Sequence, residues 1–328
     1  MVTDVALLSV ENLVTHYRTQ RGFVKAVDGV SFEVKEKEAM GLAGESGCGK
    51  TTIALSLLKI LPGEAQIKSG HVFFRDIDIV QLSDREVREK IRWKKISLVF
   101  QGAMNAMNPV YKIRDQIAEA VMTHEPNVKK EEAVERGKKL FELVGVEPSR
   151  ISNYPHEFSG GMRQRAMLAM ALATNPELLI ADEPATALDV IVQAQLLKLI
   201  KSLKENLGLS LILITHDLSI ITEICDSVAI MYAGKIAEKG SVVSVYKDPL
   251  HPYTQGLIGA FPSIYAAKTR MTSIPGFPPD LLRPPTGCKF HPRCKFAMDV
   301  CKKVEPSLLV AEKNHLVACH LVKSSEES

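Results

Sequence analysis

Apolar residues occur along this chain in three kinds of run, and each predicts a different element. Residues 5–35 alternate apolar and polar positions in LLSVENLVTHYR and VKAVDGVSFEV, with Asp28-Gly29 as punctuation, which predicts a small antiparallel sheet. Ala39 to Ala43 is a short unbroken apolar strand entering GESGCGKTT, and TTIALSLLKIL then carries helical spacing up to Pro62-Gly63. Charged helical patterns dominate 84–150; in VKKEEAVERGKKLFELVGV, Leu140, Phe141, Leu143 and Val144 are expected to form the buried stripe. Two further apolar runs, LLIAD (178–182) and SLILITHD (210–217), are bounded by polar turns. The helical pattern VIVQAQLLKLIKSLKENLG separates them, which is the rhythm of parallel α/β structure. After about Gly240 the pattern dissolves: nine of the seventeen prolines lie between Pro249 and Pro292, so irregular structure is expected. The expected fold is α/β over residues 1–240, with an N-terminal antiparallel β subdomain and an inserted helical subdomain at about 84–165. An irregular extension covers 241–328.

The glycine-rich stretch after the first apolar strand carries chemistry. Gly44, Ser46, Gly47, Cys48, Gly49, Lys50 and Thr51 fall in the pattern G-x-x-x-x-G-K-[ST], whose glycines let backbone N–H groups wrap phosphate oxygens at a helix start. An ordinary glycine turn with a solvated lysine would share the composition, but not the strand before it and the helix after it. Lys50 would reach the β- and γ-phosphates of a nucleotide, Thr51 would offer its hydroxyl to Mg²⁺, and Thr52 stands beside them. Cys48 reads as a small tolerated residue of the loop. Downstream, LLIADEP ends a buried strand on Asp182, placed for the Mg²⁺ shell, followed by Glu183, placed to polarise an attacking water.

Between these two motifs lies Phe158-Ser159-Gly160-Gly161-Met162-Arg163-Gln164, which resembles the signature of ATP-binding cassette (ABC) ATPases. The resemblance spans about residues 5–240 and implies a P-loop NTPase core of that family. It implies further roles: Tyr17 stacking on adenine, with Phe23 as a rival, Gln101 as the Q-loop residue reaching Mg²⁺, Asp189 in the D-loop, and His216 as the switch histidine. It also implies two cassettes meeting head to tail, so that Ser159 and Gly161 of one chain bind the γ-phosphate held by the other. That arrangement is physically sound, because Ser159-Gly160-Gly161 opens the helical run MRQRAMLAMALA and its free N–H groups. Met162 departs from the family, which usually has glutamine there; a thioether cannot reproduce an amide's hydrogen bonds.

The tail narrows the family. His251-Pro252-Tyr253-Thr254-Gln255-Gly256-Leu257, Ile274-Pro275-Gly276 and Gly287 to Cys294 resemble the C-terminal extension of dipeptide and oligopeptide importer ATPases, of the kind called the D subunit. The resemblance implies an ATPase that powers peptide import at the cytoplasmic face of the cell membrane. Its implied partners are a second ATPase subunit (a heterodimer, or a homodimer of the isolated chain), two transmembrane permease subunits and an external peptide-binding protein. Composition agrees with a peripheral subunit: no apolar stretch spans a bilayer, and Lys+Arg exceed Asp+Glu by only 3, so no global field favours nucleic acid. Cassette ATPases acting on DNA or ribosomes would bring long heptad insertions or a second cassette, and neither is visible. A non-hydrolytic regulator is disfavoured by Lys50, Asp182 and Glu183.

Four of the six cysteines, Cys288, Cys294, Cys301 and Cys319, form C-x5-C-x6-C-x17-C. In a reducing compartment clustered thiols read as metal ligands rather than disulfides. Four thiolates suit tetrahedral zinc or an iron–sulfur cluster, and the gaps are wider than the tight pairs usual for structural zinc. The family resemblance implies a [4Fe–4S] cluster, with Zn²⁺ as the alternative and His291, His315 and His320 as spare zinc ligands. Six Lys or Arg residues against one acid, Asp299, lie between Arg283 and Lys303; such charge is expected to stabilise thiolates, or to form a solvated or lipid-facing patch.

Overall fold

The computed structural model describes residues 6–100, 102, 106–186, 188–260, 274–312 and 314–323. They divide into two compact units, one made of 35–38 with 81–213 and the other of 6–34, 39–80 and the described residues from Ile214 onward. In chain order the elements begin with β1 (Ala6–Thr19), β2 (Gly22–Lys35), β3 (Ala39–Ala43), α1 (Lys50–Leu57), β4 (Ala65–Phe74) and β5 (Ile77–Asp78). Next come α2 (Asp84–Lys90), β6 (Ile96–Val99), α3 (Ile113–His124), α4 (Lys130–Leu143), α5 (Gly160–Ala171), β7 (Leu178–Asp182), α6 (Val190–Leu207) and β8 (Ser210–Thr215). The last are α7 (Leu218–Ile224), β9 (Ser227–Tyr232), β10 (Lys235–Ser241), α8 (Val242–Lys247), α9 (Pro252–Gly259), α10 (Asp299–Lys303), β11 (Leu309–Glu312) and β12 (His315–Val317).

In the unit that begins at Ala6, β2, β1, β4 and β5 line up in that order as one sheet. The expected alternation is present, since Leu8, Val10 and Leu13 point inward and are essentially inaccessible. β1 and β4 are antiparallel from Leu8 opposite Phe74 to Tyr17 opposite Ala65, with an irregularity after Glu11. At that bulge Gly70 is needed: its φ is +95°, and a Cβ there would stand 2.5 Å from the Asn12 carbonyl oxygen. A second row of strands in the same unit runs β11-β12-β10-β9-β3. β3 and β9 are parallel, whereas β9, β10, β12 and β11 pair antiparallel. The strand that feeds the glycine loop and the strands contributed by the C-terminal extension therefore share one sheet.

The other unit follows α/β logic. β6 and β7 are parallel, with Ile96 opposite Leu178, and β8 lies beyond β7. All five residues of β7 are buried, as a strand covered on both faces requires. α6 starts on an Asp189 cap, ends on Gly208 at φ +64°, and buries Leu196, Leu197, Ile200 and Leu203 on one face. In α4 the expected stripe is only half present. Phe141 and Val144 are buried, but Leu143 is 37% exposed, and the inner face is completed by Ala133 and Gly137. Gly137 is required there because a Cβ would come within 2.6 Å of Ile151. Among the described residues no helix is long and apolar enough to cross a membrane.

Candidate nucleotide site

The loop from Gly44 to Gly49 joins β3 to α1, as the spacing predicts. Its glycines are dictated by close approach. A Cβ on Gly44 would lie 2.2 Å from the Met231 carbonyl oxygen, and one on Gly49 2.1 Å from that of Ala26, with φ values of +148° and +106°. Gly47, at φ +79°, faces open space, and Ser46 beside it is exposed. Lys50 is only 6% exposed, and its ammonium bridges its own loop, donating to the carbonyls of Gly44 at 2.7 Å and Glu45 at 3.1 Å. Cys48 is more than a tolerated filler. Its side chain is buried under the loop, its N–H donates to Glu45 O, and its carbonyl accepts from Gly234 N–H at 2.9 Å. Burial pushes its thiol pKa up, against the pull of Lys50.

Tyr17 and the loop are brought together: its hydroxyl lies 3.1 Å from that of Thr52, one residue beyond the exposed Thr51. Phe23 is 46% exposed, with the Lys68 ammonium 4.9 Å above its ring. His216 is exposed in the turn after β8, where Asp217 caps α7. Gln101 lies outside the described residues.

In the other unit Asp182 ends β7 at 2% exposure. Glu183 follows with φ +46°, a left-handed conformation unusual for glutamate, and its Oε2 accepts from the Thr186 hydroxyl at 3.0 Å. Such strain at one residue after a buried strand aims a carboxylate where regular backbone would not. Ser159 caps α5, its hydroxyl accepting from Met162 N–H at 3.4 Å, so the signature serine does open a helix. Gly161 and the D-loop helix meet, because a Cβ on Gly161 would come within 2.5 Å of the Val192 side chain. Asp189 in turn accepts from Val192 N–H at 3.0 Å. Val190 and Ile191, beside it, are 82% and 71% exposed.

With a phosphate loop on one unit and a capped signature helix on the other, comparison with known proteins is decisive. The ABC transporter family model matches residues 27–186, and that of the oligopeptide/dipeptide transporter C-terminal region matches 237–301. The chain is 45% identical over 317 residues to a probable peptide ABC transporter ATP-binding protein, y4tR, of Sinorhizobium fredii, covering 95% of this chain and 94% of that one. It is 44% identical to the dipeptide transport ATP-binding protein DppD of Bacillus subtilis (96% and 94% covered). This chain belongs to the ATP-binding proteins of the oligopeptide/dipeptide ABC transporter family. Among solved structures, the ABC cassette MJ0796, a dimer in a post-hydrolysis state with ADP and Pi, superposes with a TM-score of 0.64 at 25% identity, covering 72% of this chain and 98% of that one. As an ABC ATPase the chain hydrolyses ATP, and the P-loop NTPase fold expected from the sequence is the fold observed.

The extension of this ABC subunit departs in part from expectation in its charges. Lys289 and Arg293 are buried and committed to distant acids, Lys289 to Asp28 at 2.7 Å and Arg293 to Glu45 at 2.6 Å, while Lys302 pairs with Asp299. Arg283, Lys295, Lys302 and Lys303 stay exposed, as a solvated face would, and Lys295 favours the Cys294 thiolate. Burial pushes the Cys288 thiol up to about 11, helped by repulsion from the other three cysteines, and raises Cys294, with Lys295 opposing, and Cys319. The six cysteines are all free of disulfides, and Cys288 N–H donates to Cys301 O at 2.8 Å. The four thiols of the extension thus share one neighbourhood, but among the described residues no group of three or more His, Cys, Asp or Glu could hold a metal ion. That finding bears alike on tetrahedral zinc and on an iron–sulfur cluster. One ring nitrogen of each histidine is engaged, His291 with Cys288 O, His315 with Glu238 and His320 with Val304 O, all within 2.9 Å, an arrangement compatible with ligation through the other nitrogen. A cavity of about 570 Å³ opens beside this segment, lined by Lys235, Phe290 and Glu305; no residue of the phosphate loop reaches it.

Proposed function

We propose that this chain is the D-type ATPase subunit of an importer of dipeptides or oligopeptides. It works at the cytoplasmic face of the cell membrane beneath two transmembrane permease subunits, beside a second ATPase subunit, with an external binding protein delivering the peptide; it takes no nucleic acid. One observation carries the reading: an extension of the peptide-transporter type is built into the sheet that holds the phosphate loop, through β10 and β12. Relatives named for dipeptide and oligopeptide transport match over nine-tenths or more of their length, which supports the same assignment. The domain division follows: residues 1–240 hydrolyse ATP and 241–328 form the extension.

Within the cassette, Lys50 and the loop N–H groups hold the β- and γ-phosphates and Tyr17 stacks on adenine. Thr51, Gln101 and Asp182 would hold Mg²⁺, which neutralises phosphate charge when bound. Glu183 polarises the attacking water and His216 senses the γ-phosphate. Ser159, Gly161 and Asp189 complete the site of the opposing cassette, so that ATP closes a head-to-tail dimer and hydrolysis reopens it. The exposed Val190 and Ile191 beside Asp189 support a partner surface there. In the extension, Cys288, Cys294, Cys301 and Cys319 would ligate a [4Fe–4S] cluster. The mutual repulsion of the four thiols, which helps raise Cys288, supports one shared site, and a cluster bound there would clamp the proline-rich chain.

The test is reconstitution. ATPase activity of the chain should rise with the permease subunits in vesicles when peptide and its binding protein are present. Stimulation by DNA alone, with no response to the permeases, overturns the reading.

A further inference from the structure

Among the described residues three Lys or Arg side chains are buried, and they are not scattered: one is Lys50 of the phosphate loop, and the others are Lys289 and Arg293 of the extension. Burying a cation is unfavourable unless an anion meets it, so each buried cation points to what it was placed to hold. For Arg293 that anion is Glu45, the second residue of the phosphate loop, 248 positions away. The guanidinium grips the carboxylate through both terminal nitrogens, at 2.6 and 2.9 Å. It is itself locked by Nε donating to Pro275 O at 2.8 Å and by the Tyr232 hydroxyl at 3.4 Å.

Glu45 is held at two further points. Its backbone N–H donates to the hydroxyl of Tyr253, a fully buried side chain, at 2.9 Å. Its carbonyl accepts from the Lys50 ammonium at 3.1 Å and from Cys48 N–H at 3.3 Å. A single loop residue thus takes two contacts from the extension and passes one to the lysine that meets phosphate. Glu45 is also an electrostatic problem: a carboxylate in a loop that must receive a polyanion repels it unless neutralised, and repulsion over a few ångströms at protein dielectric changes binding by an order of magnitude.

We propose that Arg293 and Tyr253 are positioning residues for ATP: they neutralise and orient Glu45, so that the phosphate loop accepts a triphosphate beside a carboxylate. Lys289 supports the same loop from behind, donating to Asp28 at 2.7 Å and to Ala233 O at 3.2 Å in the turn whose Gly234 N–H meets Cys48 O. The extension is then part of the nucleotide site, although none of its residues need touch the nucleotide.

The inference rests on the chain being an ATPase, and wild-type protein tests that separately by binding MgATP. In the full-length chain, Arg293→Gln should raise KM for ATP about tenfold or more, with a smaller change in kcat, and weaken displacement of a fluorescent ATP analogue equally. Adding Glu45→Gln to Arg293→Gln removes the uncompensated charge and should restore most of the affinity. A role limited to bolting the extension in place predicts no such rescue. Arg293→Lys keeps the charge without the two-pronged grip and should fall between the two. Tyr253→Phe, which loses only the hydroxyl, should weaken ATP less than Arg293→Gln does. The proposal is overturned if wild-type protein binds MgATP and Arg293→Gln binds it equally well, or if Glu45→Gln leaves the Arg293→Gln defect in place. A folded Tyr253→Phe with unaltered ATP affinity removes Tyr253 from it.

Discussion

Glu238 and His315 meet in a completely buried contact, carboxylate oxygen to ring nitrogen at 2.7 Å, across the β10–β12 pairing. The same carboxylate accepts from the N–H groups of Leu250 at 2.8 Å and His251 at 2.9 Å, so one side chain gathers the strand, the chain entering α9, and β12. Glu238→Gln should loosen all three, because an amide's one oxygen and two donors cannot accept three hydrogen bonds. The expected loss is about 1–3 kcal/mol, the penalty for buried donors left unmet. Urea unfolding would measure it, and limited proteolysis should cut the variant first in the extension; an unaltered midpoint would contradict this role.

His251 makes the extension acid-sensitive. Buried at 3% exposure against the rings of Tyr253 and Phe290, it accepts the Tyr253 N–H at Nδ1, and burial pushes its pKa down to about 4. The unfolded chain, with its histidine near 6.5, therefore binds more protons than the folded chain between about pH 4 and about pH 6.5. Stability rises with pH across that window, and acidification through it removes on the order of 3 kcal/mol. His251→Asn keeps an N-cap acceptor without a titrating ring and should flatten the dependence. If wild type and variant lose stability equally between about pH 7 and about pH 4, another group is responsible.

Glu183→Gln should separate binding from hydrolysis. The amide keeps the shape of the side chain at this left-handed position but cannot polarise water, so turnover should fall by roughly a hundredfold or more while ATP-bound dimers accumulate in size-exclusion chromatography. Steady-state hydrolysis at the wild-type rate would refute the assigned role.

For the extension, iron and acid-labile sulfide in equal amounts are expected from anaerobically purified protein, with a visible absorbance that is lost on replacing the buried Cys301 by serine. Zinc in place of iron would overturn the cluster.

The cassette was readable because its elements announce themselves locally. β3, β7 and β8 are unbroken buried runs between turn residues, and the α6 boundaries are written in Asp189 and Gly208. Reading failed where the signal was small or distant. On α4 the inner face is made partly of Ala133 and Gly137, which an apolar count overlooks, and Leu143, apolar though it is, lies outside that face. β4, with Gln66, Lys68, Ser69 and His71 interrupting its apolar positions, carries little alternation to read. The basic residues of the extension looked like one electrostatic field. Two of them, Lys289 and Arg293, prove to be buried on distant acids, and no local pattern ties Lys289 to Asp28, Arg293 to Glu45 or Tyr253 to the same Glu45 208 positions earlier.

The Lys50 ammonium, bridging the carbonyls of Gly44 and Glu45, has a kinetic consequence. Its donors already have acceptors, so nucleotide entry exchanges partners on a preformed ring rather than ordering a slack segment. The step then requires rotation of one side chain, faster than the microsecond-to-millisecond motions of domains. Arrival of ATP would be sensed at this loop long before any larger movement of the transporter could answer it.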